Sequence, residues 1–192
     1  MGKLVQLAPR LAVRRKMPRQ KPGESKQDYG TPRDFMDAVE KRFGKMDYDL
    51  AADYSNAKAP RFYGPLGTPL AHNMDNEGCI GVNSLAQDWG KLQGNLWLNP
   101  PYERISLWAS KCAGATRLPG RAVYLLVPAS IGANWFWEYV WSFAKVYALH
   151  PRLTFDGTPV NPKTGKVDPY PKDLMLCKYA PGAMGLERWC WR

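Results

Sequence analysis

Apolar residues follow two different spacings along the chain, and these spacings predict helices and strands in turn. Apolar positions recur every three to four residues in 35–43, 105–113 and 135–143, as on the buried face of a helix. Short apolar runs at 46–52, 79–82, 95–98, 122–127, 146–149 and 174–179 are typical of strands. The run at 122–127 is unbroken, as expected of a parallel strand buried on both faces. Strands that alternate with helices predict an α/β fold with an open, mostly parallel sheet.

The first predicted helix has clear boundary signals. Thr31 precedes Pro32, and these residues suit the N-cap and the first helical position. Gly44 follows the last apolar residue of this helix and suits its C-terminal end. We therefore expect a helix from about residue 32 to residue 43.

Several segments lack either spacing. Residues 54–78 are rich in Asn, Pro, Gly and Tyr, and we expect a long irregular segment there. We expect a basic arm at 1–28, disordered when free, a folded domain at 29–180 and a tail at 181–192. The length of 192 residues suits one such domain with a sizeable core.

The charge balance favours a polyanionic partner. The chain has 27 Lys and Arg against 17 Asp and Glu, which gives a net charge of +10. Binding to phosphates would release counterions, so nucleic acid is the favoured partner. Eight of the basic residues lie in the arm, where either phosphate contact or plain solvation is expected: Lys3, Arg10, Arg14, Arg15, Lys16, Arg19, Lys21 and Lys26.

Cysteine and histidine spacing indicates neither disulfides nor a metal site. The four cysteines lie far apart, and the two histidines are His72 and His150. No zinc-type spacing is present, so we expect reduced thiols and no metal. No apolar run has transmembrane length, and the first residues lack a signal-peptide pattern. These features predict a cytoplasmic protein without a membrane partner.

The sharpest chemical feature is Asn99-Pro100-Pro101-Tyr102, directly after the apolar run at 95–98. The two prolines fix φ, donate no backbone hydrogen bond and stiffen the loop. The Asn99 side-chain oxygen and the Pro100 carbonyl then form a rigid pair of acceptors for a planar amino group. Such a pair would stabilise positive charge developing on that nitrogen during attack on a methyl sulfonium. The Tyr102 ring would offer a face on which a base can stack. The alternative is a proline-rich turn with a core tyrosine.

This tetrapeptide and its neighbours resemble the amino-methyltransferases with an (Asp/Asn)-Pro-Pro-(Tyr/Phe) signature, and most closely the phage-type DNA N6-adenine methyltransferases. The similarity runs from Tyr29 to about residue 178, through motifs at 29–32, 47–52, 56–63, 85–89, 99–102, 126–129, 134–136 and 152–155. The resemblance implies a Rossmann-like class I fold with helices on both faces of the sheet. It also implies S-adenosyl-L-methionine as cofactor and transfer of a methyl group to adenine N6 in DNA. A phage gene product would act in the host cytoplasm.

The same resemblance implies a set of cofactor-binding residues. Thr31 and Pro32 would contact the methionine part of the cofactor, and the loop of Asp49 and Ala51 would help to hold it. Asn83 stands where relatives often have an aspartate at the adenine end. Asp88 is the candidate to compensate, or else it caps a turn. No Gly-x-Gly loop follows Asp49.

A DNA-modifying enzyme of this kind has to take the base out of the stack or act on single strands. The second aromatic wall beside Tyr102 would be Phe155 or Tyr170, although core or loop packing is an alternative for both rings. We expect DNA contacts from the segments at 54–78 and 155–172. The candidate phosphate-binding residues are Arg14, Arg15, Lys16, Lys58, Arg61, Arg152, Lys163, Lys166 and Lys172.

Two alternative functions stay open at this stage. The acceptor could be another planar nitrogen, namely cytosine N4, an RNA base or a protein glutamine. The chain could also be a catalytically inactive DNA-binding relative. The sequence leaves the DNA target sequence open, as well as the choice between monomer and dimer.

Overall fold

A computed structural model describes residues 30–71, 77–115 and 119–192. Its helices are α1 (Arg33–Phe43), α2 (Ile105–Ala115) and α3 (Asn134–Tyr139). Its strands are β1 (Tyr48–Asp49), β2 (Arg61–Gly64), β3 (Gly78–Val82), β4 (Gly94–Leu98), β5 (Arg121–Pro128), β6 (Lys145–His150), β7 (Leu174–Tyr179) and β8 (Gly185–Cys190). The predicted α/β fold is confirmed.

All eight strands form one mixed sheet in the order β3-β2-β1-β4-β5-β7-β6-β8. Five of the seven neighbouring pairs are parallel, and β7 runs antiparallel to both of its neighbours. The chain builds outward from β1 to β3 on one side and then resumes at β4 on the other side of β1. The direction of strand addition therefore reverses between β1 and β4, where ligands bind in open α/β sheets.

Core packing covers both faces of the sheet. In β5, Val123, Leu125 and Val127 pack into one hydrophobic cluster, together with buried residues of α2 and α3. The alternate residues Tyr124 and Leu126 pack into a second cluster that contains the buried residues of α1. This alternation follows from the two-residue period of a strand. Helices lie on both faces, as the resemblance implied.

Two segments differ from the sequence prediction. The segment 54–78, expected to be irregular, contains β2, which pairs in parallel with both β1 and β3. The segment 181–192, expected to be a tail, contains β8, which pairs in parallel with β6. β2 has only four residues, and β8 is mostly exposed with two adjacent charged residues, so neither gives a clear apolar signal.

Candidate active site

The candidate catalytic and cofactor residues converge where the strand order reverses. Asp49 is the last residue of β1, and Asn99 directly follows Leu98, the last residue of β4. The two strands are parallel neighbours, with Asp49 paired to Trp97. Their carboxyl ends therefore lie side by side and place both polar residues at one edge of the sheet.

Two hydroxyl groups hold the side-chain amide of Asn99. Its Nδ2 donates to Thr31 Oγ1 at 3.1 Å, and its Oδ1 accepts from the Tyr102 hydroxyl at 3.1 Å. Thr31 is only 2% exposed, so its hydroxyl is sheltered from water. The two contacts fix the orientation of the amide at the end of β4. We call Thr31, Asn99 and Tyr102 the amide clamp.

The prediction that Thr31 is the N-cap of the first helix is wrong. The N-cap residue is Pro32, which has an extended backbone with ψ 146° and no side-chain cap. The Pro32 carbonyl accepts the helical bond from Met36 N at 3.1 Å. The Thr31 hydroxyl instead contacts Asn99, which lies 68 positions away in the sequence. Gly44 does end the helix, with φ +91° and its N–H donated to the Glu40 carbonyl.

The two prolines connect the strand end to α2 through a stiff turn. Pro100 is buried and Pro101 is exposed, and Tyr102 begins a 3-10 turn over Tyr102–Arg104. Burial of the Tyr102 hydroxyl, with a smaller contribution from the nearby Tyr170 hydroxyl, raises the pKa of Tyr102 far above its usual range. The hydroxyl therefore stays protonated at neutral pH and can donate to Asn99.

Three aromatic rings extend from the amide clamp toward the segment between β6 and β7. The rings of Tyr102 and Tyr170 meet edge-on, with centroids 6.2 Å apart and an interplanar angle of 67°. Tyr170 in turn meets Phe155 at 5.3 Å and 83°. Phe155 is 3% exposed and belongs to the core, whereas Tyr170 is partly exposed. Of the two candidates for the second aromatic wall, Tyr170 contacts Tyr102 and is the more exposed ring.

Asp49 ties the loop after β1 to the end of its own strand. Its Oδ1 accepts from Ala51 N at 3.1 Å, and its Oδ2 accepts from Lys58 N at 3.0 Å. Burial raises the pKa of Asp49 from 3.8 to about 6, although the two backbone hydrogen bonds and the charge of Lys58 act in the opposite direction. Asp49 is thus a buried carboxylate that is mostly ionised at neutral pH.

The remaining two cofactor candidates lie away from this cluster. Asn83 follows the end of β3 and is exposed, with a left-handed φ of 54°. Three inter-strand spacings separate β3 from β4, roughly 14 Å in all. Asp88 caps the 3-10 turn Trp89–Lys91 by accepting from Gly90 N at 2.8 Å. Its turn-capping alternative is thus the one that the structure displays.

Three of the candidate DNA-binding residues interact within the protein. Lys58 Nζ lies 3.8 Å from an Asp156 carboxylate oxygen, and Arg152 Nε lies 2.7 Å from one of Asp173. The Arg61 guanidinium lies 4.2 Å from the centre of the Tyr48 ring, at the amino ends of β1 and β2. Arg61 is thus displaced from the edge of the sheet that carries Asn99.

The other candidate DNA-binding residues are lysines of the segment between β6 and β7 and residues of the arm. Lys163, Lys166 and Lys172 are exposed. The arm residues Arg14, Arg15 and Lys16 lie outside the described part of the chain.

Asp156, which is not among the residues predicted from the sequence, bridges two parts of the site. Its backbone N–H donates to the Gly30 carbonyl at 2.9 Å, and its carboxylate faces Lys58. The loop after β1 is thereby connected to the segment that follows β6. No local pattern marks this aspartate, because both partners are distant in sequence.

The described residues also allow two statements about metals and membranes. Within the ranges that the structure covers, no group of three or more His, Cys, Asp or Glu side chains is placed to hold a metal ion. None of the helices in these ranges is both long and apolar enough to cross a membrane.

The sheet and the site define an α/β protein with a polar, proline-stiffened site at the reversal point of its strand order. A family model described as DNA N-6-adenine-methyltransferase (Dam) matches residues 19–177. Because this match covers most of the chain, the chain belongs to that family.

The chain is also similar to the DNA N-6-adenine-methyltransferase of Escherichia phage T1. The two are 29% identical over 128 residues, which is 67% of this chain and 47% of the phage protein. This chain therefore spans about half the length of that curated relative.

Proposed function

We propose that this protein transfers a methyl group from S-adenosyl-L-methionine to the N6 amino group of adenine in DNA. Membership of the DNA N-6-adenine-methyltransferase family supports the reaction and the substrate. The single structural observation that carries the proposal is the amide clamp at the end of β4. The net charge of +10 supports a DNA partner.

The amide clamp suits a reaction in which the Asn99 side-chain oxygen accepts a hydrogen bond from a planar amino group. Thr31 and Tyr102 hold the Asn99 amide, so its oxygen needs little reorientation during the reaction. The Pro100 carbonyl would be the second acceptor, because the two prolines leave the loop with few N–H donors of its own. Two fixed dipoles aimed at the amino nitrogen would stabilise the positive charge that develops there.

We propose that the fold of the protein is Rossmann-like and of the class I methyltransferase type. The order of β3, β2, β1, β4 and β5 is the doubly wound order with a reversal beside β1. The antiparallel β7 between β5 and β6 is a departure from a purely parallel sheet. Thus the fold supports a ligand site at the carboxyl ends of β1 and β4.

The residues at this edge fit the proposed cofactor. A buried, mostly ionised carboxylate suits a cationic ligand, and Asp49 provides one beside the small side chains of Ala51 and Ala52. Thr31, Pro32, Asp49 and Ala51 would hold the cofactor, and Asn83 would lie toward its adenine end. When bound, the cofactor supplies an electrophilic methyl group on a positively charged sulfur. We assign no ligand to Asp88, which caps a turn.

The aromatic residues beside the clamp would receive a base that has left the stack. Extrusion of the base costs a few kcal/mol, and stacking on aromatic rings offsets part of that cost, by about 1–3 kcal/mol per base. Tyr102 and Tyr170 are the proposed walls of this base pocket. Tyr102 would have two roles, since its ring stacks and its hydroxyl orients Asn99.

Identification of the methylated product tests the proposal. The protein is incubated with methyl-labelled cofactor and either duplex DNA, RNA of the same sequence or a glutamine-containing peptide. Nucleosides or amino acids are then analysed by mass spectrometry. We expect N6-methyladenine from DNA alone. N4-methylcytosine, or label in RNA or peptide, would show another acceptor, and cofactor binding without any transfer would indicate an inactive relative.

A further inference from the structure

A small β-hairpin protrudes from the segment between β6 and β7. Val160 and Val167 form an antiparallel bridge, and Asn161 N donates to the Lys166 carbonyl at 2.8 Å. Residues 162–169 are all exposed, so this structure does not depend on packing against the core. We call residues 160–167 the tip hairpin.

Hydrogen bonds within the tip hairpin hold its shape. The Asn161 side-chain oxygen accepts from Lys163 N at 2.9 Å, and its amide nitrogen donates to Asp168 at 2.6 Å. The Asn161 carbonyl accepts from Thr164 N at 3.2 Å and Gly165 N at 2.9 Å. Gly165 has φ +66°, a left-handed conformation that glycine adopts without strain. The turn is therefore preorganised for a binding partner.

The end of the tip hairpin is positively charged. Lys163 and Lys166 are both exposed, and neither has an ion-pair partner among the residues that the structure describes. The two nearby carboxylates are bound by other side chains, Asp168 by Asn161 and Asp156 by Lys58. The positive charge of the lysines is thus only partly balanced, which favours an anionic partner.

The base of the tip hairpin lies next to the proposed base pocket. Phe155 precedes the hairpin and Tyr170 follows it, and their rings are in contact. Tyr170 N donates to the Leu153 carbonyl at 2.7 Å, which closes the segment, and the Tyr170 ring contacts Tyr102. The chain therefore leaves the neighbourhood of Asn99, forms the protruding hairpin and returns to the same place.

We infer that the tip hairpin enters the major groove of duplex DNA beside the nucleotide that is methylated. The major groove is about 12 Å wide and about 8.5 Å deep and admits a two-stranded β-ribbon. The tip lies three residues beyond the Val160–Val167 bridge, which corresponds to a reach of at most about 10 Å. The reach of the hairpin therefore matches the depth of the groove.

In this arrangement the side chains of the hairpin have distinct partners. Lys163 and Lys166 would each contact a phosphate beside the groove through their long side chains. Val160 is 58% exposed and Val167 is 41% exposed, and both lie behind the tip, at the mouth of the groove. The inference deepens the proposed function, on which it rests, by naming the element that contacts the DNA duplex.

Duplex RNA is the alternative nucleic acid, and its shape argues against it. The major groove of A-form RNA is deep and too narrow for side chains to read. Binding of RNA would therefore depend on the general positive charge of the protein and not on this hairpin. The comparison of DNA with RNA serves as an internal control.

The test compares two double variants that lose the same charge. Lys163→Ala/Lys166→Ala changes the tip hairpin. Lys41→Ala/Lys91→Ala removes two exposed lysines at the opposite edge of the sheet, Lys41 in the last turn of α1 and Lys91 just before β4. Binding of the full chain to a fluorescent DNA duplex is measured by anisotropy between 50 and 200 mM salt. Each lost phosphate contact lowers the slope of log K against log salt by about 0.9.

We expect the tip-hairpin variant to bind DNA more weakly, with a slope smaller by about 1.8, and the control to keep the wild-type slope. With the matching RNA duplex, the wild type and the tip-hairpin variant should behave alike. An unchanged slope with DNA, an equal effect of the control variant, an equal loss with RNA or no DNA binding by the wild type would overturn the inference. The measurement needs no methyl transfer, so its failure and the failure of the proposed reaction are separable.

Discussion

The amide of Asn99 makes a turn at the end of a strand into a preorganised acceptor. A free asparagine side chain samples several rotamers, and each contact that orders it has to offset the lost entropy. Here one contact comes from Thr31, before α1, and the other from Tyr102, only three residues downstream. An acceptor that is already oriented avoids that cost during the reaction itself.

We predict that Thr31→Val lowers kcat while Thr31→Ser preserves it. Valine keeps the shape of threonine but removes the hydroxyl that accepts from Asn99 Nδ2. Loss of this buried partner costs about 1–3 kcal/mol, and the released amide would orient less well. Steady-state kinetics with saturating DNA and cofactor measures the effect. Equal kcat values for the two variants would show that the hydroxyl has no positioning role.

Asp49 should make the stability of the protein depend on pH. The raised pKa of Asp49, about 6, means that the folded state holds this proton more tightly than the unfolded chain does. The associated stability is therefore fully present below about pH 4 and is lost as the pH rises through about 6, a change of about 3 kcal/mol.

Urea unfolding from pH 4 to pH 7 checks this pH dependence. We expect the wild type to lose stability relative to Asp49→Asn across this window, because asparagine does not titrate there. Asp88→Asn, a change at an exposed carboxylate, is the matched control and should follow the wild-type profile. Parallel profiles for the wild type and Asp49→Asn would contradict the expected titration.

At the residue scale, the sequence predicts local chemistry better than distant partners. Asn99-Pro100-Pro101-Tyr102 is recognisable because its prolines and its position after an apolar run are adjacent in the chain. The Thr31 contact is not, because 68 positions separate it from Asn99. Thr31 followed by Pro32 suggested an N-cap, and the same two residues are compatible with the contact between the Thr31 hydroxyl and Asn99.

Among the elements, strands with a continuous apolar run are predictable, whereas β2 and β8 are not. β5 is buried along its whole length, so its apolar run identifies it. β8 lies at the edge of the sheet, has the two charged residues Glu187 and Arg188 side by side at its centre and is mostly exposed. β2 has only four residues, and its neighbours along the chain are rich in proline and glycine. Both strands are defined by their cross-strand partners, which the local pattern does not contain.

The segment that contains β8 should contribute strongly to stability through Trp191. This side chain is 6% exposed, and its ring centroid lies 5.1 Å from that of Phe35. Its Nε1 donates to the Pro151 carbonyl at 2.7 Å. We predict that Trp191→Ala lowers the free energy of unfolding by about 3–5 kcal/mol.

Urea denaturation at neutral pH provides the measurement for Trp191, with Trp137→Ala as the matched control. Trp137 is 54% exposed, so its removal should cost much less. A stability near the wild-type value for Trp191→Ala would mean that the C-terminal segment is indeed only a tail.

At the scale of the whole molecule, alternation of strands and helices was sufficient to predict the α/β class. It did not predict the antiparallel β7, because the direction of a strand depends on how its connection crosses the sheet. The proposed division into an arm at 1–28 and a catalytic domain from 29 onward stays a prediction. The arm, with its eight lysines and arginines, lies outside the described residues.

The most direct test of the proposed catalytic role of the amide clamp is the rate of N6-methyladenine formation by Asn99→Ala. We predict that kcat falls by at least about 100-fold, as for other preorganised dipoles at a developing charge. Cofactor affinity by calorimetry should stay close to wild type, and the thermal midpoint should fall only by the loss of the Thr31 contact, because Asn99 is half-buried and belongs to no hydrophobic core cluster. Asn99→Asp, which keeps acceptor oxygens at this position, should retain measurable activity. A kcat for Asn99→Ala near the wild-type value would contradict the assignment of the amide clamp as the catalytic centre.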